Sequence, residues 1–394
     1  MHNAFDATPS LKGYLYQLRY ALLMAIRDSR EVDDLDDCTI TIESVEDISC
    51  DHNGESSKLV QVKHSINPGN ITDRSPKIWS TIRVWCQQIL SPNIAAQPTF
   101  VLLTTNSIES GSIAEKLSGN FKLRDVESAK DEMLSIAQKG GNRENSEGYK
   151  AFQALSEAER DLLVSSIYFV GDAPDITLVG GDIKKALRGY VNERYLSAFT
   201  ERVEGDWFVK VIAALLKQGP NAIPLGDIVT TIEQIKKEYD DDNLPDQYEF
   251  ENTDPFFESE TKKHYITQLK LIDPSKRLIT TAITNCVKAR KQRMAWSRAG
   301  LLNPGELNIY DQRLWNEWDF RAGLEEAKTN SKVDIGKAIY QSCQIDGVKP
   351  IRAKFNGDYV ARGSYHLLAN RNKIGWHPNY LELAPLVDEE DKNE

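Results

Sequence analysis

Cys38-Thr-Ile-Thr-Ile-Glu43-Ser-Val-Glu-Asp47-Ile-Ser-Cys50-Asp-His-Asn-Gly-Glu-Ser-Ser-Lys58-Leu-Val-Gln61-Val-Lys63 carries the strongest structural signal in the chain. Two β-type runs flank Asp51 to Ser57, a polar, glycine-containing segment with turn chemistry. The pattern predicts a hairpin. Strand alternation puts Gln61 and Lys63 on one face and Val62 on the other. Asp47, on the first run, then faces an amide and an ammonium on the second. Glu43 lies two periods of alternation from Asp47. It reads either as a further carboxylate for the same face or as a solvated strand residue. Carboxylate and amide oxygens are hard ligands that suit Mg²⁺, or Mn²⁺ in its place. A lysine beside them suits holding an attacking water or countering charge that builds on a phosphorus centre. Asp47, Gln61 and Glu43 are thus the candidate metal ligands. With Lys63 they form the candidate catalytic set for phosphodiester cleavage. The competing reading is an edge hairpin whose polar residues face water.

The flanking segments set the hairpin in context. Gly13-Tyr-Leu-Tyr-Gln17 opens an apolar helical run to about Asp28, with Leu15, Leu18, Leu22 and Ile26 at helical spacing. Downstream, Asn70-Ile-Thr-Asp73-Arg-Ser75-Pro76 leads into a second helix. Asp73 or Ser75 is its expected cap, Pro76 its first turn, and Ile78, Ile82, Cys86 and Ile89 its core stripe. Thr99-Phe-Val-Leu-Leu-Thr-Thr105 reads as a buried strand. The order is helix, hairpin, crossover helix and parallel strand, a length that suits a right-handed crossover. It resembles the restriction-endonuclease core.

The residues themselves carry a closer resemblance. Gly13-Tyr-Leu-Tyr-Gln17, Glu-Asp47-Ile, Gln61-Val-Lys-His64 and Ile71-Thr-Asp…Ile78-Trp-Ser-Thr-Ile-Arg-Val-Trp85 are similar to the DNA nuclease domain of anti-phage effectors in CBASS and Lamassu defence systems. That resemblance spans roughly residues 10–120. It implies that Asp47, Gln61 and Lys63 form a metal-dependent DNA-cutting site. Gln61 stands where the wider superfamily more often has Glu. One negative ligand is therefore missing, which makes a second carboxylate such as Glu43, or a water shell, more necessary.

The other end resembles a different module. Tyr265-Ile-Thr-Gln268, Ala289-Arg-Lys-Gln292-Arg-Met-Ala-Trp296, Leu314-Trp-Asn-Glu317-Trp318, Gly363-Ser-Tyr-His366-Leu-Leu-Ala369 and Ile374-Gly-Trp-His377-Pro-Asn-Tyr380 look like the C-terminal domain of ABC-three-component systems, the group that contains Lamassu. Together the two resemblances imply a Lamassu nuclease subunit. They imply double-stranded DNA as substrate, an SMC-like ATPase and a third small subunit as partners, and a homo-oligomer as the active form. A non-catalytic adaptor with an inactive nuclease fold is the alternative.

Composition agrees with a multi-domain chain. At 394 residues, with 40% apolar and 27% charged residues, the sequence has ample material for more than one core. No run of eighteen apolar residues exists and no signal peptide opens the chain, so a cytoplasmic protein without a membrane span is expected. Five scattered cysteines without a Cys-x-x-Cys pair fit buried thiols in a reducing compartment. No phosphate-binding Gly-x-x-x-x-Gly-Lys-Ser/Thr loop and no Gly-x-Ser-x-Gly elbow is present. His366 and His377 lack companions at zinc-ligand spacing, Trp315 and Trp318 read as core packing, and alternation turns His64 away from Lys63's face.

The net charge of −11 repels a polyanion at long range. Against that background, Thr281 to Arg298 holds Lys288, Arg290, Lys291, Arg293 and Arg298 with no acid. It reads as a solvated basic face, a phosphate-contacting face or a docking surface, with an acidic partner favoured. The acidic stretch from Asp240 onward, broken by Pro245 and Pro255, reads as a linker or partner-facing segment. Helices are expected over Glu127–Gln138, Ile183–Phe199 and Trp207–Gln218, with a mobile loop between Lys139 and Gly148 and a capping box at Ser156–Glu159. The expected architecture is an α/β restriction-endonuclease-like domain (1–180), a helical middle with an acidic linker (181–262) and a mostly helical interaction domain (263–394).

Overall fold

The structure is a computed structural model that describes residues 8–32, 34–43, 47–63, 69–120, 122–174, 176–217, 221–328 and 331–386. The chain divides into two units. One holds Met1–Tyr190 with Phe199–Ile235, and the other Val191–Ala198 with Lys236–Glu394.

The first unit is built on a mixed sheet. Its strands are β1 (Cys38–Ile42), β2 (Ile48–His52), β3 (Glu55–Lys63), β5 (Ile94–Thr104), β7 (Ile167–Val170) and β8 (Ile223–Pro224), in the order β7-β5-β3-β2-β1-β8. Two short strands, β4 (Asn70–Ile71) and β6 (Ser107–Ile108), pair separately. The hairpin expected from the sequence is β2–β3. It turns at Asn53 and Gly54, both at positive φ (52° and 80°), the backbone that an Asn-Gly hairpin turn requires. The expected crossover is also present: β3 runs parallel to β5, joined through α2 (Pro76–Gln88), with Ser75 as its N-cap and Pro76 in its first turn.

One strand expectation needs correcting. Cys38 to Cys50 is not a single run but two antiparallel strands, with Ile42 paired to Ile48. The chain reverses between Glu43 and Asp47, where the Glu43 N–H donates to the Asp47 carbonyl, and Glu43 itself adopts φ 56°. Glu43 therefore stands on a turn and not on a strand shared with Asp47.

Helices α1 (Thr8–Asp28), α3 (Ile113–Lys116), α4 (Val126–Lys139), α5 (Ser146–Ala154), α6 (Glu157–Ser166) and α7 (Ile176–Ala186) complete most of this unit. The side of the sheet that carries α2 buries Trp79, Trp85, Phe100, Phe152 and Leu163 in one cluster. The Ser156–Glu159 capping box forms as expected. The segment after Lys139 is held rather than loose: Arg74 donates to the Gly140 carbonyl at 2.8 Å, and Asn145 donates to the Arg74 carbonyl at 2.9 Å. The helix expected over 183–199 stops at Ala186. Gly189 sits at φ 95°, and a 3₁₀ turn at Glu193–Tyr195 leads into α8 (Leu196–Leu215), which runs without a break through Trp207. Helix α9 (Leu225–Glu238) follows.

The second unit is helical: α10 (Phe257–Glu260), α11 (His264–Lys270), α12 (Lys276–Arg298), α13 (Glu306–Glu326), α14 (Lys332–Ile345), α15 (Asp358–Ala369) and α16 (Tyr380–Leu383). Helices α12 and α15 press together at Gly363, where a Cβ would stand 2.1 Å from the Asn285 carbonyl oxygen. Only glycine permits that approach.

The acidic stretch from Asp240 is not a linker. The Pro245 carbonyl accepts from Gln292 Nε2 (3.1 Å) and Trp296 Nε1 (2.8 Å), and Asp246 accepts from the Tyr359 hydroxyl (2.6 Å). The Glu249 carbonyl accepts from Lys288, Glu251 pairs with Lys291, and the buried Glu260 pairs with Arg290 at 2.6 Å. The chain's own acids thus answer much of its basic helix.

Candidate functional site

The site expected from the sequence lies at the end of the sheet where β1, β2 and β3 meet the Glu43–Asp47 turn. Carrying the β2–β3 register one residue beyond Ile48–Val60 places Asp47 beside Gln61. Asp47 Oδ2 accepts the Val62 backbone N–H at 2.7 Å. The Asp47 carbonyl accepts from the Glu43 N–H at 3.1 Å, which closes the turn. Among the described residues, the other carboxylate oxygen of Asp47 carries no hydrogen bond. Gln61, with its side chain buried, sits opposite Leu102 of β5, and half-buried Lys63 opposite Thr104. The Thr104 hydroxyl donates to the Lys63 carbonyl at 3.0 Å, which locks the strand end in place.

Glu43 joins this set through the turn rather than through alternation. Its carboxyl is pushed above the ordinary glutamate range, first by partial burial and then by the negative charge of Asp47. A hydrogen bond from Gln17 and the positive charge of Lys63 oppose the shift. Three groups that the sequence nominated therefore act together, since Glu43 feels both Asp47 and Lys63, and Gln61 lies opposite Asp47 in the extended register.

Two further residues reach the site from helices. Gln17, on α1, is buried; its Oε1 has no partner among the described residues while its side chain bonds Glu43. Lys77, in the first turn of α2, has its ammonium pKa pushed down, first by burial and then by Lys63. Neither was a sequence candidate for the site. Signals existed for both. Gln17 is an amide set within the Leu15–Leu18–Leu22 run, and Lys77 is a cation at a helix N-terminus, where the dipole disfavours it. His64 lies outside the described residues.

The donor set fits a hard divalent cation. Two carboxylates stand close enough to raise one of them, one Asp47 oxygen has no hydrogen bond among the described residues, and a buried amide is alongside. All of these are oxygen donors. Among the described residues, no group of three or more His, Cys, Asp and Glu side chains could hold a metal by itself, so Gln61 would have to take part. The same observation leaves His366 and His377 without a zinc site. His366 is wholly buried among the rings of Tyr265, Tyr340 and Trp376, and His377 accepts the Asn379 N–H at 3.1 Å.

Comparison with known proteins adds one finding at the opposite end of the chain. Residues 265–384 match the family described as C-terminal domain 7 of the ABC-three component (ABC-3C) systems. This bears out the resemblance read from Tyr265 to Tyr380. A component domain of such a system implies partner subunits. No curated protein matches the chain. Among the described residues, no helix is long and apolar enough to cross a membrane.

Proposed function

We propose that this chain is a metal-dependent DNA endonuclease and the effector subunit of a Lamassu-type ABC-three-component defence complex. The observation that carries the reading is the convergence of Glu43, Asp47, Gln61 and Lys63 at one end of a sheet with the β3–α2–β5 crossover. The match of residues 265–384 supports the system to which the enzyme is assigned. The restriction-endonuclease-like fold is part of the same proposal.

Asp47, Glu43 and the Gln61 amide oxygen would hold Mg²⁺. When bound, that ion supplies Lewis-acid stabilisation of a phosphodiester oxygen and acidifies a water. The chain's own groups do the rest. The Val62 N–H fixes Asp47 so that its other oxygen keeps one orientation. Gln17 holds Glu43 in the same way. Lys63 places a positive charge where negative charge builds on the phosphate, and Lys77 adds a second ammonium from α2.

The complex would restrain the enzyme through its SMC-like ATPase and third subunit, and release would let it self-assemble. One site cuts one strand, so a double-strand break needs two sites brought together. The net charge of −11 also leaves a lone subunit poorly suited to holding DNA. The test is incubation of the purified chain with plasmid and Mg²⁺, with and without its ATPase partner, beside a Lys63→Ala variant. Nicking or linearisation by the wild type alone is expected. Equal cutting by a folded Lys63→Ala protein, or activity that persists in EDTA, would overturn the assignment.

A further inference from the structure

The helical unit contains a cavity of about 580 Å³ between α12, α14 and α15 that has no part in cutting. Its size falls within the range of small-molecule sites. Its walls are apolar at Ile272, Leu278 and Ile345. Two polar side chains in the lining are more than nine-tenths buried: Asn285 is 9% exposed and Tyr340 7%. Among the described residues, neither the Asn285 amide nor the Tyr340 hydroxyl has a hydrogen-bond partner. Their polar atoms are not sealed from solvent, so the amide and the hydroxyl can meet a ligand at the side of the cavity.

The opposite end of the cavity is cationic. It is formed by Ser275, the N-cap of α12, with Arg277 and Lys337, whose two charges outweigh the one acid of the lining, Asp273. Ser275 caps the Leu278 N–H, which leaves the first two backbone N–H groups of a 23-residue helix without an intrahelical acceptor. Arg277 has no ion pair among the described residues, and Lys337 meets Asp273 only at 3.8 Å. Arg362 also lines the space, though it is already tied to Asp358 and to the Gln344 carbonyl. From Ser275 to Asn285 is about 15 Å along the helix. The cavity therefore offers an anion site at one end, an apolar middle, and a donor–acceptor pair with a hydroxyl at the other.

We propose that this cavity binds a free 5′-nucleotide. The phosphate would lie at the α12 N-terminus against Arg277 and Lys337. The base would lie between Ile272, Leu278 and Ile345, with its edge read by Asn285 and Tyr340. An asparagine amide presents one donor and one acceptor in a plane, the pattern that matches a base edge. The two ends are too far apart for inorganic phosphate to satisfy both.

Isothermal titration of the full chain with the four common ribonucleoside 5′-monophosphates tests this. At least one should bind saturably, and inorganic phosphate should compete about a hundredfold more weakly. Asn285→Leu and Arg277→Glu should each weaken binding about tenfold or more. Tyr340→Phe keeps the ring packing and removes only the hydroxyl, so it should weaken binding a few-fold while guarding against loss through misfolding. Arg298→Glu, on the same helix but outside the cavity, should leave binding unchanged. Lack of saturable binding by every nucleotide up to millimolar concentration would overturn the proposal. So would binding that ignores all three cavity variants. N-acetylphenylalanine binding as tightly as the nucleotides would show a generic pocket for amphipathic acids and overturn the nucleotide assignment. A 5′-phosphorylated dinucleotide binding at least tenfold more tightly than any monophosphate would do the same in favour of strand ends.

Discussion

Two places in the molecule treat charge in opposite ways. In the interior of the helical unit, buried arginines are closed upon acids. Arg293 grips both oxygens of Asp311 at 2.7 and 2.9 Å and the Ser364 hydroxyl besides. Arg352 holds Glu306 the same way and also reaches the Tyr195 hydroxyl and the Leu301 carbonyl. At the end of the sheet the reverse holds. Asp47 pushes against Glu43, Lys63 pushes against Lys77, and among the described residues one Asp47 oxygen has no hydrogen bond. A satisfied network specifies structure, because each member loses by moving. Mutual repulsion between like charges in a partly buried site is relieved by something from outside, and such sites are more often functional. The contrast predicts that substitutions in the sheet unit change chemistry and those in the helical unit change stability.

The largest effect expected tests that division at its sharpest point. Lys63→Ala and Asp47→Ala should each lower plasmid cleavage by on the order of 10²–10³. Melting temperature should stay within a few degrees of wild type, since neither side chain belongs to the apolar core and Asp47 gives up a single hydrogen bond, to the Val62 N–H. Initial rates of nicking beside a thermal melt give both numbers. A variant that loses activity only by unfolding would break the contrast.

The second prediction moves to the other unit. Gly363→Val drives a side chain into the Asn285 carbonyl and the Ala289 methyl, where a Cβ alone would stand 2.1 and 2.5 Å away. Backbone on one side leaves no room to yield. Destabilisation of about 3 kcal/mol or more is expected, concentrated in the helical unit. Calorimetry of the full chain should show one transition lowered while that of the sheet unit stays in place. A single transition shifted as a whole would show that the units do not unfold independently.

How much of this was legible in the sequence differs between the units for a physical reason. The β3–α2–β5 crossover could be read because its signals are local: alternation in Lys58–Lys63, Pro76 after Ser75, and the Ile78–Ile82–Cys86 stripe. Asp47, Gln61 and Lys63 could be paired because one hairpin register relates them. Glu43 was placed in the right company by the wrong route, since a turn and not alternation brings it there. Gln17 and Lys77 come from separate helices, and only tertiary packing delivers them. The acidic stretch from Asp240 looked like a solvated linker because its partners, Lys288 to Trp296, lie some forty residues downstream. Charge runs carry no mark of what will neutralise them.

His366 gives the third prediction, smaller near neutral pH and growing in acid. Its burial among aromatic rings, with both ring nitrogens unpartnered among the described residues, pushes its pKa down to about 3 from 6.5. The unfolded chain binds a proton at about pH 6.5, and the folded one only near 3. Stability from this residue is therefore complete above pH 6.5 and lost progressively as pH falls towards 3, by up to a few kcal/mol. His366→Phe, of similar volume, should flatten that acid limb in the helical unit. Melting curves between pH 7 and pH 4 measure it, and an acid limb of unchanged steepness in the variant would show that other groups cause it.

The smallest effect concerns the acids that close onto α12, and it asks whether closure has a function beyond packing. Glu251 pairs with Lys291, and both side chains are about 30% exposed. Such a pair contributes little, so Glu251→Gln should cost about 1 kcal/mol or less. Its consequence for DNA should be easier to see than its effect on stability. With the acid neutralised, Lys291 joins Arg298, whose guanidinium has no ion pair among the described residues. Local positive potential then rises on a protein whose overall charge opposes DNA. Non-specific affinity at low salt should increase a few-fold, and the dependence of log affinity on log salt should steepen by up to about one counterion. Fluorescence anisotropy with a labelled duplex over a salt series measures both. If affinity and slope match the wild type, Lys291 faces no DNA and the acids on α12 serve packing alone. If both rise, the helical unit also carries a masked cationic surface, and the division between a chemical sheet unit and a structural helical unit becomes one of degree.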